Sequence, residues 1–122
     1  MPIFLVILSF MKEITFKLNG RMWMEIDGEQ MLGPGRVELL ERIQASGSLR
    51  QAAIQMKMSY KQAWDMINHL NSHFGTPVVI SHRGGKGGGM AVITEQGIQL
   101  IKEFRDLQQK FRDFLKENSK TD

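Results

Sequence analysis

The chain has no cysteine, which excludes disulfides and any metal centre held by thiolates. It fits a reducing cytosol. Long apolar runs are also missing. The opening stretch Met1 to Phe10 is about half of the roughly 20 residues that a membrane-crossing helix needs. It has no basic residues ahead of it and no small-residue cleavage site behind it, so it makes a poor secretory leader. It reads either as a mis-assigned start, with Met11 as the true first residue, or as an extra strand or dimer-contact arm. Compositional bias is absent as well: 42% hydrophobic and 24% charged residues exclude a disordered or collagen-like chain. At 122 residues there is room for one compact domain, taken as 14–122 behind an extension of residues 1–13.

The net charge is only +3, but its distribution is uneven. From Ser48 to Thr94 five basic residues (Arg50, Lys57, Lys61, Arg83, Lys86) face one acid, Asp65, so that segment carries +4 and the remainder −1. A local basic footprint on a small domain suits a phosphate backbone, and it also suits a merely solvated face.

Ile14 to Leu18 and Met22 to Ile26 both alternate apolar and polar residues, the period of half-buried strands. Asn19-Gly20 between them is the pair preferred by a two-residue type I′ turn, so a hairpin is expected there. Asp27-Gly28 is a further turn signal that ends the second strand. A first helix is expected from Pro34 or Gly35 to Ala45, stopped by Gly47. Ser48 then caps a second helix to about Met56, and Ser59 a third to about Phe74. Two helices separated by so short a break make a helix-turn-helix.

At 100° per residue Ala63, Ile67, Leu70 and Phe74 share the core face of the third helix, with Lys61, Asp65, Asn68 and Ser72 opposite. Tyr60, Trp64 and Asn71 lie on one shoulder, Gln62 and His69 on the other. Such an outer face suits base edges and phosphates, while Trp64 could equally complete the core. Val78 to His82 and Met90 to Ile93 bracket Arg83-Gly84-Gly85-Lys86-Gly87-Gly88-Gly89, which has the form of a wing: strand, basic glycine-rich tip, strand. The tip lacks the spacing of a nucleotide-binding P-loop, and Lys86 is followed by Gly87 rather than Ser or Thr.

Thr94 opens a last helix with Leu100, Phe104, Leu107, Phe111 and Phe114 at heptad spacing, widened by Ile101 and Leu115. The seam is expected to pack against the domain and against a second copy. His69 and His73 are four apart on one helix, a spacing that can hold metal, but no HExxH pattern and no neighbouring carboxylate cluster accompany them. With His82 they read as surface or phosphate-contact residues, and neither a metal site nor a catalytic residue is expected.

The stretch Gly47 to Ala53, then Ser59-Tyr60-Lys61-Gln62-Ala63-Trp64-Asp65-Met66-Ile67-Asn68, then Gly84 to Gly89 and Val92-Ile93-Thr94 resembles the N-terminal winged-helix domain of the molybdate-responsive ModE regulators, related in turn to LysR-type helix-turn-helix domains. The resemblance runs from about Gly33 to Leu115. It implies DNA binding by the Ser59-to-Asn68 helix and the wing, and dimerisation through the N-terminal strands and the last helix. The family's molybdate sites lie in C-terminal oxyanion-binding domains with no counterpart in these residues, so no molybdate site can be named.

Together these readings give an α+β, mostly α, winged helix-turn-helix with an N-terminal hairpin and a long C-terminal dimerisation helix. The expected function is a cytoplasmic homodimeric transcriptional regulator that binds double-stranded DNA, without cofactor, enzymatic activity or membrane attachment. The expected DNA-facing residues are Ser48, Arg50, Ser59, Tyr60, Lys61, Gln62, Trp64, Asp65, Asn68, Arg83 and Lys86. The alternative is a dimeric interaction or oxyanion-binding accessory protein that keeps the fold without operator binding.

Overall fold

The computed structural model describes residues 2–5, 14–82 and 89–121. The elements run β1 (Met24–Ile26), β2 (Glu29–Leu32), α1 (Pro34–Ser46), α2 (Leu49–Gln55), α3 (Tyr60–Asn71), β3 (Val79–Ser81), β4 (Ala91–Ile93) and α4 (Glu95–Asn118). No helix among the described residues is long and apolar enough to cross a membrane.

The N-terminal hairpin forms one turn later along the chain than the alternation suggests. Asp27 and Gly28 hold φ of 53° and 79°, the two positive values a type I′ turn requires, and they fold β2 back on β1. Ile26 pairs with Glu29 and Glu25 with Gln30, but Met24 pairs with Leu32, so Met31 is an extra residue in a bulge. A regular strand would send Met31 and Leu32 to opposite faces. The bulge lets both enter the core, at 0% and 1% exposure.

Ile14 to Leu18 therefore does not pair with Met22 to Ile26. Ile14 is exposed, and Phe16 instead forms an isolated antiparallel bridge with Lys120, its N–H donating to the Lys120 carbonyl at 2.8 Å and its carbonyl accepting at 2.9 Å. Gly20 has another use than a turn. A Cβ there would stand 2.7 Å from Phe111 Cζ, so the glycine admits the ring of a distant helix.

α1 begins with Pro34 in its first turn and ends at Gly47, whose φ of 69° is the left-handed cap predicted for it. Val37, Leu39, Leu40 and Ile43 bury its inner face. Ala52 and Ala53 of α2 are buried, small enough for helices to approach closely, and Ala63, Ile67 and Leu70 complete the core from α3. α3 stops at Asn71, short of Phe74, which is half-buried beyond the helix end.

α4 is 24 residues, about 36 Å at 1.5 Å per residue. Only its first part reaches the core: Gly97, Ile101, Phe104 and Gln108 are buried. Arg105 ties it to α1 through a two-pronged contact with Glu41, with Nε to Oε2 at 3.1 Å, and donates to Gln108 Oε1 at 2.7 Å. The hydrogen bonds to Glu41 raise the Arg105 pKa above its already high ordinary value. Beyond Gln108 the helix rests on the N-terminal segment, with Phe111 over Gly20 and the Ser119 hydroxyl accepting from the Leu18 N–H at 2.9 Å.

Candidate nucleic-acid interface

The helix-turn-helix is set by three local devices, at the start of α2, at the start of α3 and in the turn between them. Ser48 Oγ accepts from the Gln51 N–H at 3.1 Å and Ser59 Oγ from the Gln62 N–H at 3.0 Å, each satisfying one of the donors that a helix start leaves unpaired. Between the helices Lys57 takes φ of 56°, and Met58 N–H donates to the Ala53 carbonyl at 3.0 Å. Lys57 is exposed on this turn. It belongs to the basic segment but carries no role in the sequence reading, and only its left-handed backbone places it at the surface between the helices.

With the turn fixed, Lys61, Gln62, Asp65 and Asn68 form an exposed face on α3. Lys61 and Asp65, one turn apart, pair at 2.9 Å with side chains 85% and 64% exposed, so the contact is solvated and free to exchange partners. Tyr60 is exposed and stacks twice: its ring is edge-on to Trp64 at 6.2 Å, and the Arg50 guanidinium of α2 sits 5.1 Å from its centroid. Trp64 is half-buried and packs on the core, so it supports the face from below more than it extends it.

The far end of α3 is engaged differently. The Asn71 amide accepts from the N–H groups of Val78 and Val79, at 2.8 and 3.1 Å, and donates to the Val79 carbonyl at 2.9 Å. One side chain thus locks the start of β3 to α3. Its shoulder position was legible, but its role was not, because the residues it serves follow a turn of unpredictable path. His69 and His73 do have a carboxylate beside them, contrary to expectation. The hairpin brings Glu29 Oε2 to 3.1 Å from His69 Nε2 and 3.0 Å from His73 Nε2. Arg36 Nη1 donates to His69 Nδ1 at 3.1 Å and to the Met31 carbonyl at 2.9 Å, and burial lowers the Arg36 pKa.

The wing stem is antiparallel, pairing Val79 with Ile93, Ile80 with Val92 and Ser81 with Ala91, and it is extended by His82 N–H to the Met90 carbonyl at 2.7 Å. Ala91 N–H also donates to the Gly47 carbonyl at 2.9 Å, which anchors the stem beside the α1–α2 link. Gly97 of α4 lies against it so closely that a Cβ would stand 2.5 Å from the Val78 carbonyl oxygen. Arg83 and Lys86 of the tip lie outside the described residues.

The heptad seam of α4 divides. Phe104 is fully buried in its own chain's core and Phe111 lies on Gly20, so these two form the part of the seam that packs against the domain. Leu100, Leu107 and Phe114, seven apart, remain as a stripe: Leu100 half-buried, Leu107 39% exposed and Phe114 56% exposed.

A helix-turn-helix with an adjoining two-stranded wing, backed by a long helix, defines a winged helix-turn-helix protein. The chain belongs to the lysR family of bacterial regulatory helix-turn-helix proteins, whose sequence model matches residues 35–98. It is similar to the transcriptional regulator ModE of Yersinia pestis, 39% identical over 109 residues, covering 87% of this chain and 38% of that protein. The DNA-binding transcriptional dual regulator ModE of Escherichia coli (strain K12) is 38% identical over 108 residues, covering 86% of this chain and 38% of its own length. The molybdenum-pterin-binding protein MopA of Rhodobacter capsulatus is 42% identical over 77 residues, 63% of this chain and 29% of that protein. The chain thus spans less than two fifths of these relatives.

Proposed function

We propose that this protein is a transcriptional regulator that binds duplex DNA as a homodimer in the cytoplasm, where a chromosomal operator is accessible. The observation that carries the reading is the outer face of α3. Lys61, Gln62, Asp65 and Asn68 stand exposed on a helix whose opposite face is buried, beside a wing stem fixed to the same helix. An α-helix presented this way fits the major groove, where Asn can contact adenine in two places and Lys can reach guanine or phosphate. Arg50, Tyr60 and Trp64 frame it, and the positive charges of Arg83 and Lys86 are assigned to the phosphates beside it. Ser48 and Ser59 keep their hydroxyl protons to donate outward after accepting the capping N–H groups. Family membership supports the same reading, and it includes no enzymatic step.

The second copy is assigned to the stripe Leu100, Leu107 and Phe114. A row of large apolar side chains along one long helix, with Leu107 and Phe114 exposed and Leu100 half-buried, is the kind of patch that marks an interface. Two-fold symmetry then presents two α3 helices to an inverted repeat with half-sites one or more helical turns apart. The names of the relatives tie this to molybdenum, so the regulated genes are assigned to molybdenum handling.

Analytical ultracentrifugation at micromolar concentration, paired with genome-wide recovery of bound DNA, tests this. The expected results are a dimer and fragments sharing an inverted repeat. Phe114→Glu, which places a charge in the stripe without touching the protomer core, is expected to give folded monomers that bind the operator weakly. A wild-type monomer that holds a single half-site tightly overturns the dimer, and recovery of no enriched sequence overturns the regulator.

A further inference from the structure

Away from the outer face of α3, at its opposite end, three side chains converge: Glu29 of β2, His69 in the last turn of α3, and His73, which lies in the turn beyond the helix end rather than on the helix as the spacing suggests. His69 and His73 are one turn apart with rings 5.1 Å between centroids, nearly perpendicular at 78°. Both point Nε2 at the same oxygen of Glu29, at 3.1 and 3.0 Å, and one donor atom from each of the three residues lies within 4.8 Å of the others. We propose that Glu29, His69 and His73 form a binding site for one divalent transition-metal ion of the zinc type, which would staple the N-terminal hairpin to the end of α3.

The chemistry of the donors selects the ion. Two imidazole nitrogens with one carboxylate oxygen suit zinc, nickel, cobalt or copper, whereas magnesium and calcium require oxygen cages. Three protein donors leave the remaining positions to water, consistent with Glu29 and His69 being partly exposed. The next layer of residues is also in place on one side. Asp27 Oδ2 lies 3.9 Å from His73 Nδ1, so once Nε2 holds the metal the Nδ1–H faces a carboxylate, the arrangement that orients ligating histidines.

On the other side Arg36 opposes the ion. An arginine N–H facing His69 Nδ1 obliges that nitrogen to accept, which puts the ring proton on Nε2, toward Glu29. Ligation through Nε2 moves that proton to Nδ1, so the Arg36 N–H must turn away, and the Met31 carbonyl it already contacts can hold it. The site is therefore graded: Asp27 favours the metal-bound tautomer of His73, and Arg36 disfavours that of His69.

Calorimetric titration of the full chain with zinc chloride at neutral pH, with thermal unfolding measured in parallel, tests the site. One zinc per protomer is expected, with an unfolding midpoint raised by roughly 10 °C at about a hundredfold excess of free zinc over Kd. Binding and shift are both expected to vanish in Glu29→Gln with His73→Gln, an exposed and a half-buried side chain whose replacement circular dichroism checks for retained folding. Arg36→Met is expected to tighten binding by removing the competing donor. Absence of stoichiometric binding to the wild type, or binding that persists in the double variant, overturns the site. An Arg36→Met protein that binds more weakly overturns the Nε2 ligation on which it rests. The oligomeric state and the DNA fragments recovered do not depend on any of these outcomes.

Discussion

Asn68 and Asn71 are the same residue three positions apart on one helix, yet they belong to different parts of the molecule. Asn68 lies opposite the core, exposed, with no hydrogen-bond partner for its side chain among the described residues. Asn71 makes three hydrogen bonds to Val78 and Val79, within the fold. The contrast holds for the helix as a whole. Its first turns present Tyr60, Lys61 and Asp65 to solvent, while its last turn is held by β3 on one side and by the hairpin's Glu29 on the other. A helix meant to probe a ligand with one face needs its other end fixed in position. The polar groups available for recognition are therefore those that the fold does not already use.

Substituting each asparagine separates the two roles. Asn71→Ala leaves the Val78 and Val79 N–H groups without their acceptor and is expected to cost about 2–3 kcal/mol in urea unfolding. A cost near zero would mean that β3 is not held through α3. Gly97→Ala probes the same stem from α4. The added methyl meets a backbone oxygen that cannot yield easily, and a loss of roughly 1–3 kcal/mol is expected. An unchanged midpoint there would show that α4 can shift away from β3 without penalty. Asn68→Ala is expected to leave the unfolding curve in place and to reduce discrimination between operator and mismatched DNA by ~1–3 kcal/mol. Equal weakening on all sequences would make Asn68 a positioning residue. Lys61→Ala is the mildest: its ion pair with Asp65 is solvated, so stability stays put, and the salt dependence of binding falls by about one unit of slope.

The parts of this arrangement that the sequence makes legible are those set by local rules. Ser48 and Ser59 cap the helices they precede, Gly47 ends α1, and rotation about α3 separates Ala63, Ile67 and Leu70 from Lys61, Asp65 and Asn68. What escaped depends on contacts distant in sequence. Asn19-Gly20 has the residues of a turn, but Gly20 accommodates Phe111 from the far end of the chain, and the Asp27-Gly28 turn takes the hairpin instead. Half of the α4 seam faces its own chain, because a heptad pattern reports that a stripe is apolar and not which neighbour covers it. Glu29 lies 40 residues before His69, so no spacing rule joins them.

The central claim, that the outer face of α3 and the wing cations meet the phosphate backbone, is tested most directly by the salt dependence of binding to a promoter fragment, measured for the wild type and for Lys61→Ala with Lys86→Ala. Each phosphate neutralised contributes about −0.9 to the slope of log affinity against log salt. The account predicts a wild-type slope steeper than about −4 for the dimer, visibly flattened in the folded double variant. Binding that is indifferent to salt, or a double variant with the wild-type slope, would contradict it.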